Sequence, residues 1–198
     1  VEEKNTGEAS LGAGYSSSTA ATLNLGLKEN NFLGKGQKVN FMSSFSDTRN
    51  TYDIAFTEPY FNNKSLALTG SLYSNFYDPS SVNYETEEVG IGVSAKFPIA
   101  SNLYLDTRYS LFTSKIKADS NATNYERLLA GTDTISTIGY SLRFDRRNSR
   151  YKPSQGFLFK IDQDIAGLGG NSYFIKNKLD YGIYRRISDE LIGSFNGK

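Results

Sequence analysis

The sequence contains no histidine and no cysteine. Those absences remove Ser-His-Asp and Cys-His nucleophile systems, zinc sites built on imidazole or thiolate, and any disulfide framework. Nothing that remains points to an enzyme, a bound cofactor or a metal. An excess of one charge is missing too: 22 Lys and Arg stand against 21 Asp and Glu, a formal net charge of +1. So balanced a chain has no polyanion-binding footprint, and no nucleic-acid partner is expected. No stretch approaches the ~20 apolar residues of a membrane helix. Apolar residues are scarce overall, at 38%, below the roughly 45–50% of an ordinary soluble domain. The opening Val1-Glu2-Glu3-Lys4-Asn5 is no signal peptide, so such a segment is expected to have been removed or to lie upstream.

What the chain does have is aromatic residues, glycine and a period of two. Fourteen Tyr, 13 Phe and 18 Gly accompany a mean hydropathy of -0.47 in 198 residues. Leu23, Leu25 and Leu27 alternate with Asn24, Gly26 and Lys28, and Tyr52, Ile54 and Phe56 flank Asp53 and Ala55. Val89, Ile91 and Val93 interleave with Gly90 and Gly92; Ile138, Tyr140, Leu142 and Phe144 oppose Gly139, Ser141, Arg143 and Asp145. Ile175, Leu179, Tyr181 and Ile183 oppose Lys176, Lys178, Asp180 and Gly182. Alternation over so many segments predicts an all-β fold, and no window carries the 3.6-residue period of an amphipathic helix.

The second face chooses the architecture. It is rich in Gly, Ser, Thr and Ala and carries mid-strand charges such as Asp106 and Arg108. A soluble sandwich buries its apolar face between two sheets. An apolar outer band around a polar interior is the pattern of a transmembrane barrel, whose strands need only ~10 residues each. Alternation alone fits both; the mid-strand charges favour the barrel.

Connections support this reading. Five segments contain Pro, aromatics or tight-turn residues: 30–36, 58–63, 97–102, 151–156 and 187–190. They alternate with the segments 16–20, 47–50, 78–87, 115–133 and 167–172. Compact turns at one end and variable loops at the other are expected of an outer-membrane barrel. Phe32, Tyr60, Phe61, Phe97 and Tyr151 fall at the compact end, where aromatic rings suit the headgroup level. The segments number about ten strands plus a started eleventh at Leu191–Phe195. Bare edges are not stable in lipid, so the strands either close by themselves or belong to a larger barrel.

These residues resemble the BamA family of outer-membrane protein assembly factors. Val1–Gly7 followed by Leu11-Gly12-Ala13-Gly14-Tyr15 looks like the family's entry into its first strand. Asn30-Asn31-Phe32-Leu33-Gly34-Lys35-Gly36 is similar to its N-W/F-L-G-x-G turn, Glu58-Pro59-Tyr60-Phe61 to its P-Y-F turn, and Phe97-Pro98-Ile99 to its F-P-I turn. Asp145-Arg146-Arg147-Asn148 through Pro153-Ser154-Gln155-Gly156 resembles the D-x-R…P-x-x-G turn of the wider superfamily. Five weak motifs in family order, covering Val1 to about Gly156, are together fairly specific.

The resemblance implies that residues 1–198 are the N-terminal portion of a sixteen-stranded antiparallel barrel in the cell outer membrane. Periplasmic domains would precede them and closing strands would follow. It implies no enzyme activity and no cofactor. The implied partners are outer-membrane lipid, unfolded outer-membrane protein clients and accessory assembly lipoproteins on the periplasmic side. The implied mechanism is lateral opening at strand one, where a client strand pairs with exposed backbone. Gly7, Glu8, Ala9, Ser10, Leu11, Gly12, Ala13, Gly14 and Tyr15 would form that gate strand, its glycines weakening cohesion. Small residues that merely relieve crowding are the plainer reading of the same glycines. Arg143 and Asp145 would face the lumen and contact a plug loop. Phe32, Gly34, Gly36, Pro59, Tyr60, Phe61, Pro98, Pro153 and Gly156 would mark periplasmic turns. The cluster Asp145, Arg146, Arg147, Arg150 and Lys152 offers contacts to partner domains, or is simply a solvated rim. Two-partner secretion barrels, translocation barrels and passive pores remain alternatives. So does a soluble β-sandwich, which would fold as a monomer without detergent.

Overall fold

Period two becomes one sheet. The computed structural model of the chain describes residues 6–16, 20–189 and 191–198. Its strands are β1 (Gly7–Ser16), β2 (Ala20–Phe32), β3 (Gln37–Ser46), β4 (Arg49–Glu58), β5 (Ala67–Tyr77) and β6 (Tyr84–Ala100). They continue as β7 (Leu103–Ala118), β8 (Gly131–Asp145), β9 (Gly156–Ala166), β10 (Phe174–Arg186) and β11 (Ile192–Gly197). Each pairs antiparallel with its sequence neighbour, in the order β1 through β11, and the sheet does not close on itself. The ten strands and a shorter eleventh read from the sequence are therefore present.

Register carries the alternation across the whole sheet, because directly opposed residues share a face. One row runs Leu25, Leu11 and Ser43; another runs Ile54, Leu72, Ile91 and Leu111. A third joins Leu105, Leu142, Ile161 and Leu179. Leucine, isoleucine and aromatic residues fill this face and stay exposed, as Leu72, Val93 and Ile183 do. The opposite face collects Ser, Thr, Asn, Asp, Arg and Lys. Among the described residues only Ala122 and Ala166 are buried and apolar, so no core lies between two layers. That excludes the sandwich.

The connections correct several expectations. At the end expected to be compact, the links span residues 33–36, 59–66, 101–102, 146–155 and 187–191; at the other, 47–48, 78–83, 119–130 and 167–173. Length does not separate the two ends. Outer aromatics also stand at both: Phe56, Phe144 and Phe157 at one, Tyr15, Phe45 and Tyr52 at the other. Phe32 is the last residue of β2 and Gly156 the first of β9. Phe97 and Pro98, expected in a turn, lie inside β6, opposite Leu105 and Tyr104. A bulge follows at once between Pro98 and Ala100, leaving the turn to Ser101 and Asn102. Proline is tolerated there because Asp119 N–H donating to Asn83 C=O makes the odd residues of β6 the ones bonded to β7, so the Pro98 nitrogen faces the β5 side, past the last pair Ala67–Lys96.

A helix also appears where none was expected. The segment 119–130 contains α1 (Asn124–Leu129). It is too short to show a period, and a capping box starts it: Glu126 N–H donates to Thr123 Oγ1 at 3.3 Å while Thr123 N–H donates to the Glu126 carboxylate at 2.7 Å.

Candidate functional site

The predicted gate residues form β1, an edge strand paired with β2 alone, and every one of its ten residues is exposed. The register runs without a bulge from Gly7 opposite Glu29 to Ser16 opposite Ala20. Just before it, Asn30 N–H donates to Thr6 C=O at 3.2 Å. In an antiparallel ladder the opposed pairs alternate between bonded and non-bonded. From that anchor the even residues Glu8, Ser10, Gly12 and Gly14 exchange hydrogen bonds with β2. Gly7, Ala9, Leu11, Ala13 and Tyr15 direct their N–H and C=O groups to the unpaired side. Their side chains point to the apolar face, opposite Leu27, Leu25 and Leu23. The residues 1–5 read as the entry to this strand, and the link at 17–19, lie outside the described residues.

β1 meets β2 largely through small side chains. Ser10 leans over Gly26, whose missing Cβ leaves the room. The polar faces of β6 to β10 are quite different. Arg108 on β7 reaches across β8 to Asp164 on β9, with Nη2 at 2.6 Å and Nε at 2.8 Å from Oδ1. It passes over Gly139, which is paired with both residues, and a Cβ there would collide with the Asp164 carboxylate. Lys160 holds Asp162 at 2.7 Å, and Asp162 lies 4.0 Å from Arg108. Tyr73 on β5 similarly crosses Gly90 on β6 and meets Phe112 on β7, with centroids 6.3 Å apart. These bridges stiffen the sheet from β5 to β9.

Arg143 and Asp145 do share the polar face, and they pair with each other at 2.7 Å. Asp145 is more fully engaged than the sequence suggested: Arg147 gives it Nε at 2.9 Å and Nη2 at 3.0 Å, a two-pronged contact. Its carboxylate is 5% exposed. Asp145 and Arg147 thus fasten the β8–β9 turn; exposed Arg150 keeps its Nε 4.0 Å from the same carboxylate, and Tyr151 projects into solvent. Asn148 organises the rest of that turn. Its Oδ1 accepts from Ser154 N–H at 3.0 Å and Gln155 N–H at 3.1 Å, and its Nδ2 donates to buried Ser154 Oγ at 2.8 Å. Gly156 follows at φ +97°, where a Cβ would strike the Arg146 carbonyl. Pro153 sits half-buried in the same turn.

The other motif turns are built on carboxylates and amides. Asn31 Oδ1 accepts from Gly36 N–H at 2.7 Å and Glu29 Oε1 accepts from Asn31 N–H at 2.7 Å, closing the turn that contains Gly34. Glu58 accepts from Tyr60 N–H at 3.2 Å and from Gln37 Nε2 at 2.8 Å, so the Pro59-Tyr60-Phe61 turn is tied to its neighbour. Phe32 packs edge-on against Phe56 at 6.5 Å. Sequence reasoning had Arg108 only as a mid-strand charge, Asn148 only as part of a turn motif and Gly139 only as a member of the alternation. The spacing of Gly139 between two charged strands was visible, but its meaning required the register.

A curved antiparallel meander with an exposed apolar face and a charged, hydrogen-bonded polar face is the wall of a transmembrane β-barrel. The model of the Omp85 superfamily domain matches residues 31–198, and the chain belongs to that superfamily. It is 27% identical over 194 residues to the outer membrane protein assembly factor BamA of Nitratidesulfovibrio vulgaris, covering 95% of this chain and 24% of that protein. The BamA of Neorickettsia risticii is 24% identical, with 96% of this chain and 26% of that protein covered. The mouse sorting and assembly machinery component 50 homolog is 28% identical, over 79% of this chain and 34% of that protein. Among solved structures, BamA of Haemophilus ducreyi lacking POTRA domains 1–3 superposes with a TM-score of 0.77 at 20% identity, over 96% of this chain and 39% of that one. The chain spans about a quarter of the BamA relatives it matches. The sheet is thus the wall of an outer-membrane barrel of this superfamily, similar in fold to that of BamA: the apolar face meets lipid and the polar face lines the lumen.

Proposed function

We propose that this chain is the N-terminal portion of a barrel that folds and inserts other β-barrel proteins into the outer membrane, and that β1 is the strand on which clients assemble. The proteins it resembles are named as assembly factors or as a sorting and assembly machinery component. One observation supports the mechanism: the odd-numbered backbone groups of β1, from Gly7 to Tyr15, point away from β2, its one partner among the described residues, and stand ready to bond a further strand. An extended client segment adds there by β-augmentation, its main-chain groups supplying affinity without demanding a particular sequence. The small side chains of Gly7, Ala9, Gly12, Ala13 and Gly14 give β1 little packing against its neighbour, which suits a strand that must exchange partners. The barrel carries out no bond chemistry. Its partners are unfolded clients, surrounding lipid and, at the end bearing the Glu58–Asn63 and Arg146–Gln155 turns, accessory lipoproteins.

Proline tests this by position. Ala9→Pro removes an N–H aimed at the free side, and edge strands tolerate proline. Ser10→Pro removes one that bonds β2. In the full-length protein Ala9→Pro should fold, judged by heat-modifiable gel mobility, yet fail to insert clients. Ser10→Pro should weaken the barrel itself. Normal client insertion by a folded Ala9→Pro protein would overturn the assignment.

A further inference from the structure

The lipid-facing side carries one polar row that its position does not explain. Thr107, Tyr140, Gln163 and Asn177 are opposed in register across β7, β8, β9 and β10. Apolar pairs border the Gln163–Asn177 step on both sides, Ile161–Leu179 and Ile165–Ile175. Gln163 Nε2 donates to Asn177 Oδ1 at 2.7 Å, and among the described residues neither side chain makes another hydrogen bond. The remaining amide groups open outward, where hydrocarbon offers nothing to bond. Other polar residues on this face behave differently. Ser43 is buried against Thr51 C=O at 3.1 Å, and Ser136 lies under Tyr109, donating to its hydroxyl at 3.0 Å. Gln163 and Asn177, each with a full amide and one shared bond, keep more capacity than these serines do.

Beside the row is a hollow. Ala95 and Thr107, opposed small side chains, floor a groove of about 450 Å³ walled by Val93, Tyr109, Ile138 and Tyr140. The row continues directly out of it. Ala95 lies near the Ala100 end of β6 and Asn177 near the Phe174 end of β10, at opposite ends of the wall. The line from Asn177 to Ala95 therefore descends obliquely through the membrane. It crosses four strand spacings, roughly 19 Å at ~4.8 Å each, of which a strand tilt of ~35–45° turns about 11–13 Å into depth, within the ~15 Å of one leaflet of a ~30 Å core.

We propose that this row is a binding site for one phospholipid, its ester carbonyls on the Gln163 and Asn177 amides and an acyl chain lying along Tyr140 into the Ala95–Thr107 hollow. The amides are uncharged donors and acceptors, which match ester carbonyls and not the phosphates of an anionic glycolipid. The apolar groove matches a tail and leaves a polypeptide backbone without partners. The site depends on this face meeting lipid, not on client assembly at β1.

The full-length protein, reconstituted in phosphatidylethanolamine–phosphatidylglycerol vesicles and extracted into detergent, should retain one phospholipid by native mass spectrometry. Gln163→Leu with Asn177→Leu should cut that retention roughly fivefold or more, the worth of about one hydrogen bond. Ala95→Phe, which fills the hollow, should do the same by a separate route. Heat-modifiable mobility checks that each variant is folded, and the leucine pair should fold readily because it removes polar groups from a lipid face. Equal retention by wild type and both folded variants would overturn the site. So would a photoreactive residue at Ile165 that cross-links in native membranes to a polypeptide or glycolipid and not to phospholipid. Client insertion by the leucine variant should remain intact, which separates failure here from failure at β1.

Discussion

Gly139 shows how one missing side chain decides a local structure. It lies between Arg108 and Asp164 in register, and only hydrogen lets the guanidinium pass. Gly139→Val should sever the ion pair and lower barrel stability by about 1–3 kcal/mol, the range for breaking a partly buried polar network. A shift in thermal unfolding measured by gel mobility would show it, with Asp164→Asn as the comparison that removes the charge alone. Glu126 offers a different test. Backbone N–H groups of Thr123 and Asn83, followed by the Thr123 hydroxyl, hold its carboxyl down to about 2 from a usual 4.5. A lowered folded-state value stabilises the ionised form, so the contribution is fully present above pH 4.5 and is lost as pH falls toward 2. A spin label at Tyr125 should become mobile across that window, and Glu126→Gln should mobilise it at every pH.

Elements depend on what the ladder allows. In β1 the split between bonded and free backbone groups gives residues next to each other opposite roles, which is why Ala9→Pro and Ser10→Pro should diverge. In β6, Pro98 survives inside a strand because its nitrogen faces the β5 side, where pairing has already ended at Ala67–Lys96. The sequence motif suggested a turn, since proline usually breaks strands, and nothing local marks a bulge. The helix at Asn124–Leu129 was missed for a related reason: six residues carry no period. Its one signal was Thr123 three residues before Glu126, a capping box. The Asp145–Gly156 turn was visible as a motif, but not that Asp145 is consumed by Arg147 and Arg143. Arg143→Glu should therefore destabilise the barrel by setting a like charge beside a nearly buried carboxylate, with circular dichroism melting as the measure.

Across the whole molecule the wall is uneven. β6 and β7 are the longest strands, at 17 and 16 residues, and β7 to β9 are bridged by the Arg108 network. β1 is exposed throughout and joined on one side. Opening free energies follow such differences. Hydrogen exchange in the full-length protein should be slowest in β7 and β8, and the odd-numbered amides of β1 should exchange fastest among the strands. Uniform protection from β1 to β8 would contradict a weak leading strand.

The sequence by itself determined the all-β class, the approximate number of strands and which face of each is apolar, because a period of two sorts side chains without any knowledge of their neighbours; that the apolar face is not buried between two sheets came from the structure. It also marked the turns at Asn31–Gly36, Glu58–Phe61 and Asp145–Gly156, whose residue types are demanded locally. Tertiary structure alone decided register. Through register it decided which backbone groups of β1 are free, that Arg108 and Asp164 meet across a glycine, and that Thr107, Tyr140, Gln163 and Asn177 fall in one row. Those are relations between residues tens of positions apart, and a ladder slipped by one residue would have undone every one of them.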